Sequence, residues 1–256
     1  MMYAEKNLIT LEEPKSPISE AYRVLRTNIQ FSSVDNPAKS ILITSAVPSE
    51  GKTSTISNLA IIFAQGGSRT LIIDADLRKP RVHKLFNLDN RKGLTNILAL
   101  HENHKDYVLK GPHSNLDIIT CGAIPPNPSE LLASATMKEF LKSLRDEYDY
   151  ILIDSPPINA VTDAAILSSI TDGTIIVAAS GEVAADMLIR AKEQLDQVNA
   201  NILGVVLNRV PTKGRSYYNY YYYYNYYNDP ATGEKIKRKS KSKKSRSGSK
   251  SPKNED

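Results

Sequence analysis

Ser45 to Ser54 read SAVPSEGKTS, a glycine and a lysine followed by hydroxyl side chains, set between an apolar run and a helical pattern. Backbone N–H groups of such a loop, with the positive end of the helix it opens, hold phosphate oxygens. Lys52 then neutralises the terminal phosphates and Thr53 can ligate magnesium, which makes Ser49, Glu50, Gly51, Lys52, Thr53 and Ser54 the candidate nucleotide contacts. The pattern departs from G-x-x-x-x-G-K-[ST] at one point: Ala46 stands in the first glycine position, a slot that asks only for a small residue.

Two acidic motifs follow. LIIDADLRKP puts Asp74 and Asp76 at the tip of a second apolar run, on the same side of an extended chain. YILIDSPP puts Asp154 after four residues of strand character, where a magnesium-orienting carboxylate would stand beside a phosphate loop. For Asp154 alone a strand-end cap is the plain alternative. Three carboxylates at strand ends beside a Lys-Thr loop explain less well as caps.

Residues from distant segments meet only if the chain stacks those segments side by side. Short β-branched runs, SILITSA, RTLIIDAD, LDIITCG, YDYILIDSP, GTIIVAAS and NILGVVLNRV, alternate with longer helical patterns. That rhythm predicts an α/β fold, a doubly wound and mostly parallel sheet with helices on both faces. GKTSTISNLAIIFAQGG reads as a helix closed by Gly66 and Gly67; SELLASATMKEFLKSLRDEYD and AADMLIRAKEQLDQV read as two more. Ligands of such sheets bind beyond the carboxyl ends of the strands, where the loop and the three aspartates all fall.

Composition limits the rest. The chain has 256 residues, which suits one such domain with a tail. No apolar run reaches the ~18 residues of a membrane span and the N-terminus lacks a signal-peptide core, so a cytoplasmic protein is expected. The single cysteine, Cys121, lies in an apolar stretch and reads as a small core residue. His83, His101, His104 and His113 lack zinc-like spacing. Residues 229–256 hold ten Lys or Arg against four Asp or Glu, leaving 23 basic and 24 acidic side chains elsewhere. The domain proper is therefore near neutral, and the Lys/Ser-rich end reads as a disordered tail. It suits solubility as well as contact with an anionic surface, and nucleic acid is not an expected partner.

Between these parts lies SYYNYYYYYNYYND, in which Tyr217, Tyr218, Tyr220, Tyr221, Tyr222, Tyr223, Tyr224, Tyr226 and Tyr227 crowd into eleven residues. Each phenol needs a hydrogen-bond partner when buried, so most must face water. The expected organisation is a domain over 1–214, a tyrosine cluster over 215–228 and the basic segment over 229–256. Near the N-terminus Ser16 is a candidate N-cap with Pro17 at the first helical position. Glu20, Arg23 and Arg26 follow at spacings of three, ordinarily a solvated salt-bridge face. Asn208, ending the last run, reads either as a turn residue or as a contact to a nucleotide base.

Taken together, SAVPSEGKTS, DADLRKP, ILIDSPP, GAIPPNPSELL, EAYRVLRTN and the tyrosine cluster resemble the bacterial tyrosine kinases, of the cytoplasmic capsule and exopolysaccharide type found in Gram-positive bacteria. The resemblance spans about residues 15–227. It implies a phosphate-loop kinase that uses ATP and Mg2+ to phosphorylate protein tyrosines, its own tail cluster first, between subunits. It implies Lys52, Asp74, Asp76 and Asp154 as catalytic groups, with Thr53 on the metal. Of the three carboxylates two must hold magnesium while one takes the phenol's proton; Asp74 is the favoured base, with Asp76 and Asp154 on the metal, an assignment the sequence leaves open. It further implies a ring-like homo-oligomer joined through Glu20, Arg23 and Arg26, and a separate transmembrane activator, a polysaccharide co-polymerase, at the inner face of the membrane. The alternative of another class is a switch ATPase of the partition or septum-positioning kind, bound to membrane or DNA. Those proteins carry an extra lysine early in the phosphate loop, where this chain has Val47.

Overall fold

Six runs of β-branched and aliphatic residues pair in parallel, and all but the edge run over 202–208 are too apolar to leave either face in water. In the computed structural model, which describes residues 8–32 and 37–211, they are β1 (Ser40–Ser45), β2 (Thr70–Asp74), β4 (Leu116–Ile119), β5 (Tyr150–Asp154), β6 (Gly173–Ala179) and β7 (Ile202–Asn208). A seventh, β3 (Leu109–Lys110), is only two residues long and pairs antiparallel with β4. The order across the sheet is β3-β4-β2-β5-β1-β6-β7. The tyrosine cluster, the basic segment and the expected boundary at 214 lie outside the described residues.

Helices cover both faces. On one side α1 (Ile9–Glu12), α2 (Pro17–Phe31), α3 (Lys52–Gln65) and α4 (Val82–Phe86) pack over Ile41, Ile43, Ile72, Leu152 and Val177. On the other, α5 (Leu94–Leu100), α6 (Pro128–Leu132), α7 (Ala135–Leu144), α8 (Asp163–Ser168) and α9 (Ala185–Gln197) pack over Leu42, Leu71, Ile73, Ile153 and Ile176. The expected doubly wound, phosphate-loop architecture is the one found.

α3 is buried on nearly every side, from Thr55 to Ala64, since the sheet lies beneath it and α1 and α2 above. Its outer contacts are polar and specific. Thr10 donates its backbone N–H to Asn58 Oδ1 at 3.0 Å, and Arg26 donates to the Ile62 carbonyl at 3.2 Å. Ser16 caps α2 as expected, accepting from the Ser19 N–H, with Pro17 beginning the helix. The single long helix expected over 129–149 is two. Ser134 breaks the run and re-caps it through the Met137 N–H. Cys121 is wholly buried, and burial pushes its thiol up to about 12.

Candidate active site

The loop between β1 and α3 is bent by two left-handed residues, Ser49 at φ 67° and Gly51 at φ 94°. Glycine at 51 meets two demands: its φ disfavours a side chain, and a Cβ there would fall on the Asn208 amide. Ala46 has no exposed surface, in keeping with a slot for a small residue. Glu50 is 2% exposed, yet its carboxylate is satisfied within the protein, accepting from the Val47 N–H at 2.8 Å and the Ala179 N–H at 3.0 Å. The loop is thereby tied to itself and to the end of β6.

α3 starts with no side-chain cap and no acidic residue in its first turn. Its leading N–H groups and the positive end of its dipole are thus left for an anion. Lys52, the first helical residue, is buried and close enough to Asp154 for its charge to draw that carboxyl's pKa down. Thr53 Oγ1 donates to Asp154 Oδ2 at 2.6 Å, and Ser54 lies exposed on the same turn.

β2 and β5 run side by side with Asp74 opposite Asp154. Both carboxyls are essentially buried, and each keeps one oxygen, Oδ1, without a hydrogen-bond partner. Asp74 Oδ2 accepts from the Val82 N–H at 3.0 Å, which pins α4 to the strand tip. Desolvation pushes both pKa values up, Asp154 to about 6 despite Lys52 and Thr53, and Asp74 well above the usual range with help from the Asp154 charge. Asp76 is half-buried; its Oδ1 accepts from the N–H groups of Arg78 and Lys79, and its charge reaches both other aspartates. β2, β5 and the phosphate loop thus bring Lys52, Thr53, Asp74, Asp76 and Asp154 into one cluster.

Other residues stand elsewhere or were missed. Arg78 forms a bidentate pair with the wholly buried Asp163 of α8, both contacts at 2.9 Å, holding the turn that carries Asp76. Asn208 donates to the Glu50 carbonyl at 2.9 Å, and Arg209 donates to the Ser49 carbonyl at 2.7 Å. Arg78 and Arg209 sit inside motifs visible in the sequence, but their partners are 85 and 160 residues away, and nothing local marks them. Glu20, Arg23 and Arg26 belong to α2, apart from this cluster. Glu20 and Arg23 pair at 2.8 Å, whereas Arg26 turns to the carbonyl end of α3.

A family model described as NUBPL iron-transfer P-loop NTPase, of the ParA type, matches residues 36–225. The tyrosine-protein kinase YwqD of Bacillus subtilis (strain 168) is 46% identical over 84% of this chain and 90% of its own. The chain belongs to the bacterial tyrosine kinases. Among solved structures of such kinases, the chimerical protein CapA2B2 aligns with a TM-score of 0.77 at 41% identity, covering 82% of this chain and 92% of its own. The cell division ATPase MinD of Pyrococcus furiosus is more distant, at a TM-score of 0.60 and 25% identity over 70% of this chain and 75% of its own. The bacterial tyrosine kinase fold is thus a nucleotide-binding one, and the switch ATPases share it from further off.

Proposed function

We propose that this chain transfers the γ-phosphoryl group of ATP to protein tyrosines, first to the cluster from Tyr217 to Tyr227 of a neighbouring copy, and thereby regulates capsule or exopolysaccharide synthesis. The observation that carries the reading is the pair of buried carboxyls, Asp74 and Asp154, beside Lys52 and the uncapped start of α3. A phenol of pKa about 10 is a weak nucleophile at neutral pH and needs a carboxylate to take its proton. Asp74 suits that task because burial raises its proton affinity. As the phenol oxygen bonds to the γ-phosphorus, its proton passes to Asp74. The bond from that phosphorus to the bridging oxygen breaks, and ADP leaves. Lys52 and the first-turn amides of α3 stabilise the negative charge carried by the phosphates.

Magnesium fits this donor set. The unpartnered Asp154 Oδ1, the Thr53 hydroxyl and Asp76 are hard oxygen donors, and Asp154 Oδ1 is buried without a hydrogen-bond partner. When bound, magnesium would neutralise phosphate charge.

In the same reading Glu20, Arg23 and Arg26 join copies into a ring, and a separate transmembrane activator recruits the kinase to the inner face of the membrane. Among the described residues no helix is long and apolar enough to cross a membrane. Incubation with γ-labelled ATP and acid hydrolysis tests the activity. Phosphotyrosine is expected; free phosphate alone would identify a switch ATPase instead.

A further inference from the structure

The last strand ends on the phosphate loop. Asn208 and Arg209, consecutive in sequence, each donate to one of two consecutive loop carbonyls, Glu50 O and Ser49 O. Arg209 adopts φ 54°, left-handed for a non-glycine residue, and its N–H is held by Asn208 Oδ1 at 2.9 Å. That one contact fixes the Asn208 amide with Nδ2 toward the loop. The Arg209 guanidinium bridges Ser49 O and the carboxylate of Glu182, three residues after Ala179, the β6 residue whose N–H holds Glu50.

A trans peptide is planar, with its C=O and N–H pointing in opposite directions. Holding the Ser49 carbonyl toward β7 therefore turns the Glu50 N–H away from β7, and holding the Glu50 carbonyl does the same for the Gly51 N–H. Those are the loop amides that precede the first turn of α3. Val47 cannot serve in this way, because its N–H is taken by Glu50.

We propose that Asn208 and Arg209 are positioning residues, aiming the Glu50 and Gly51 amides at nucleotide phosphates from behind, and that Asn208 does not select the base. The inference rests on the nucleotide-site reading above and adds two residues to its machinery. It differs from base recognition in what it makes binding depend on. A loop brace acts on phosphates and is indifferent to the base; a base contact is the reverse. The Arg209–Glu182 pair is half-exposed and contributes little by itself, so the weight falls on the Ser49 contact.

The test is calorimetric titration of the full chain, as wild type, Asn208→Ala, Arg209→Ala and Arg209→Lys, with Mg·ATP and Mg·GTP. Thermal melts without nucleotide should stay close to wild type for all four, since Arg209 is exposed and Asn208 only half-buried at the end of an edge strand. Each alanine variant should lose about tenfold in affinity for both nucleotides, leaving their ratio unchanged. Arg209→Lys should recover part of the loss, because an ammonium can still reach one carbonyl. Wild-type affinity in Arg209→Ala, or an Asn208→Ala loss confined to ATP, overturns the brace alone. Absence of binding by the wild-type chain overturns the nucleotide-site reading itself.

Discussion

Asp74 and Asp154 stand opposite each other on adjacent strands, both out of water and each with one oxygen lacking a partner. Two such carboxyls are costly to ionise together, although Lys52 opposes the charge on Asp154. The nucleotide-free protein thus holds strain that a bound cation would relieve. This makes the site's stability depend on pH in a direction opposite to that of ordinary salt-bridged aspartates.

The sign follows from Asp154. Its folded pKa of about 6 lies above the unfolded value of 3.8, so folding takes up a proton between them and stability falls as pH rises through that interval. The cost at neutral pH is on the order of 3 kcal/mol. Asp154→Asn should therefore raise the melting temperature of nucleotide-free protein at pH 7 by roughly 6–12 °C and have no such effect near pH 4. It should also abolish tyrosine phosphorylation. Calorimetric scans at the two pH values check the first part, and an unchanged melt at pH 7 would refute it.

Lys52→Met keeps most of the buried stem and removes the charge, so phosphorylation should drop by orders of magnitude while circular dichroism stays native. Mixed with an active protein cut after Gly214, the Lys52→Met chain should acquire label on its own tyrosines. A mixture that leaves it unlabelled, although the truncated partner binds ATP, rules out transfer between copies.

Removing Arg78 leaves Asp163, with no exposed surface, without its bidentate partner. Arg78→Ala should cost about 2 kcal/mol in urea unfolding, below the range for fully buried pairs because Arg78 is 36% exposed. Adding Asp163→Ala should recover part of that, giving a coupling of about 1 kcal/mol or more in the double-mutant cycle. Strict additivity would mean that the pair does not act as a unit.

Charge reversal should separate the two arginines of α2. Arg23→Glu sets like charges three residues apart and removes the side-chain hydrogen bonds to Glu20 and the Pro14 carbonyl, so the monomer should fold normally and the proposed ring should be smaller in sedimentation. Arg26→Glu also puts a negative charge at the carbonyl end of α3, so it should lower the monomer's melting temperature as well. Equal assembly size for Arg23→Glu and wild type would remove that face from the interface.

What could be read from the sequence was local. The strand–loop–helix unit around Lys52, the aspartates at strand tips and the Ser16 cap depend on neighbours within a few residues, so pattern and spacing suffice. β3 was not legible because two residues cannot show a period, and Ser134 broke a helix whose apolar spacing continues across it. The Asp163 and Arg209 contacts were hidden for a different reason, since each joins segments that only the folded sheet brings together. The burial that raises the Asp74 and Asp154 pKa values is likewise a property of packing.

The strand order also sets a timetable for synthesis. β1 pairs with β5 and β6, so it finds no neighbour in the sheet until β5 has been translated. Thr44 and Pro156, joined by a hydrogen bond, are 112 residues apart, roughly 6–20 s at about 5–20 residues per second. Throughout that interval an apolar strand waits without its partners in the sheet, a state that invites chaperone binding. Ser49 and Glu50 wait longer still, because their donors arrive with the end of the last strand. A chain cut short by interrupted translation therefore carries the complete SAVPSEGKTS signature without the contacts that shape it, and should emerge as an inert fragment rather than an unregulated kinase.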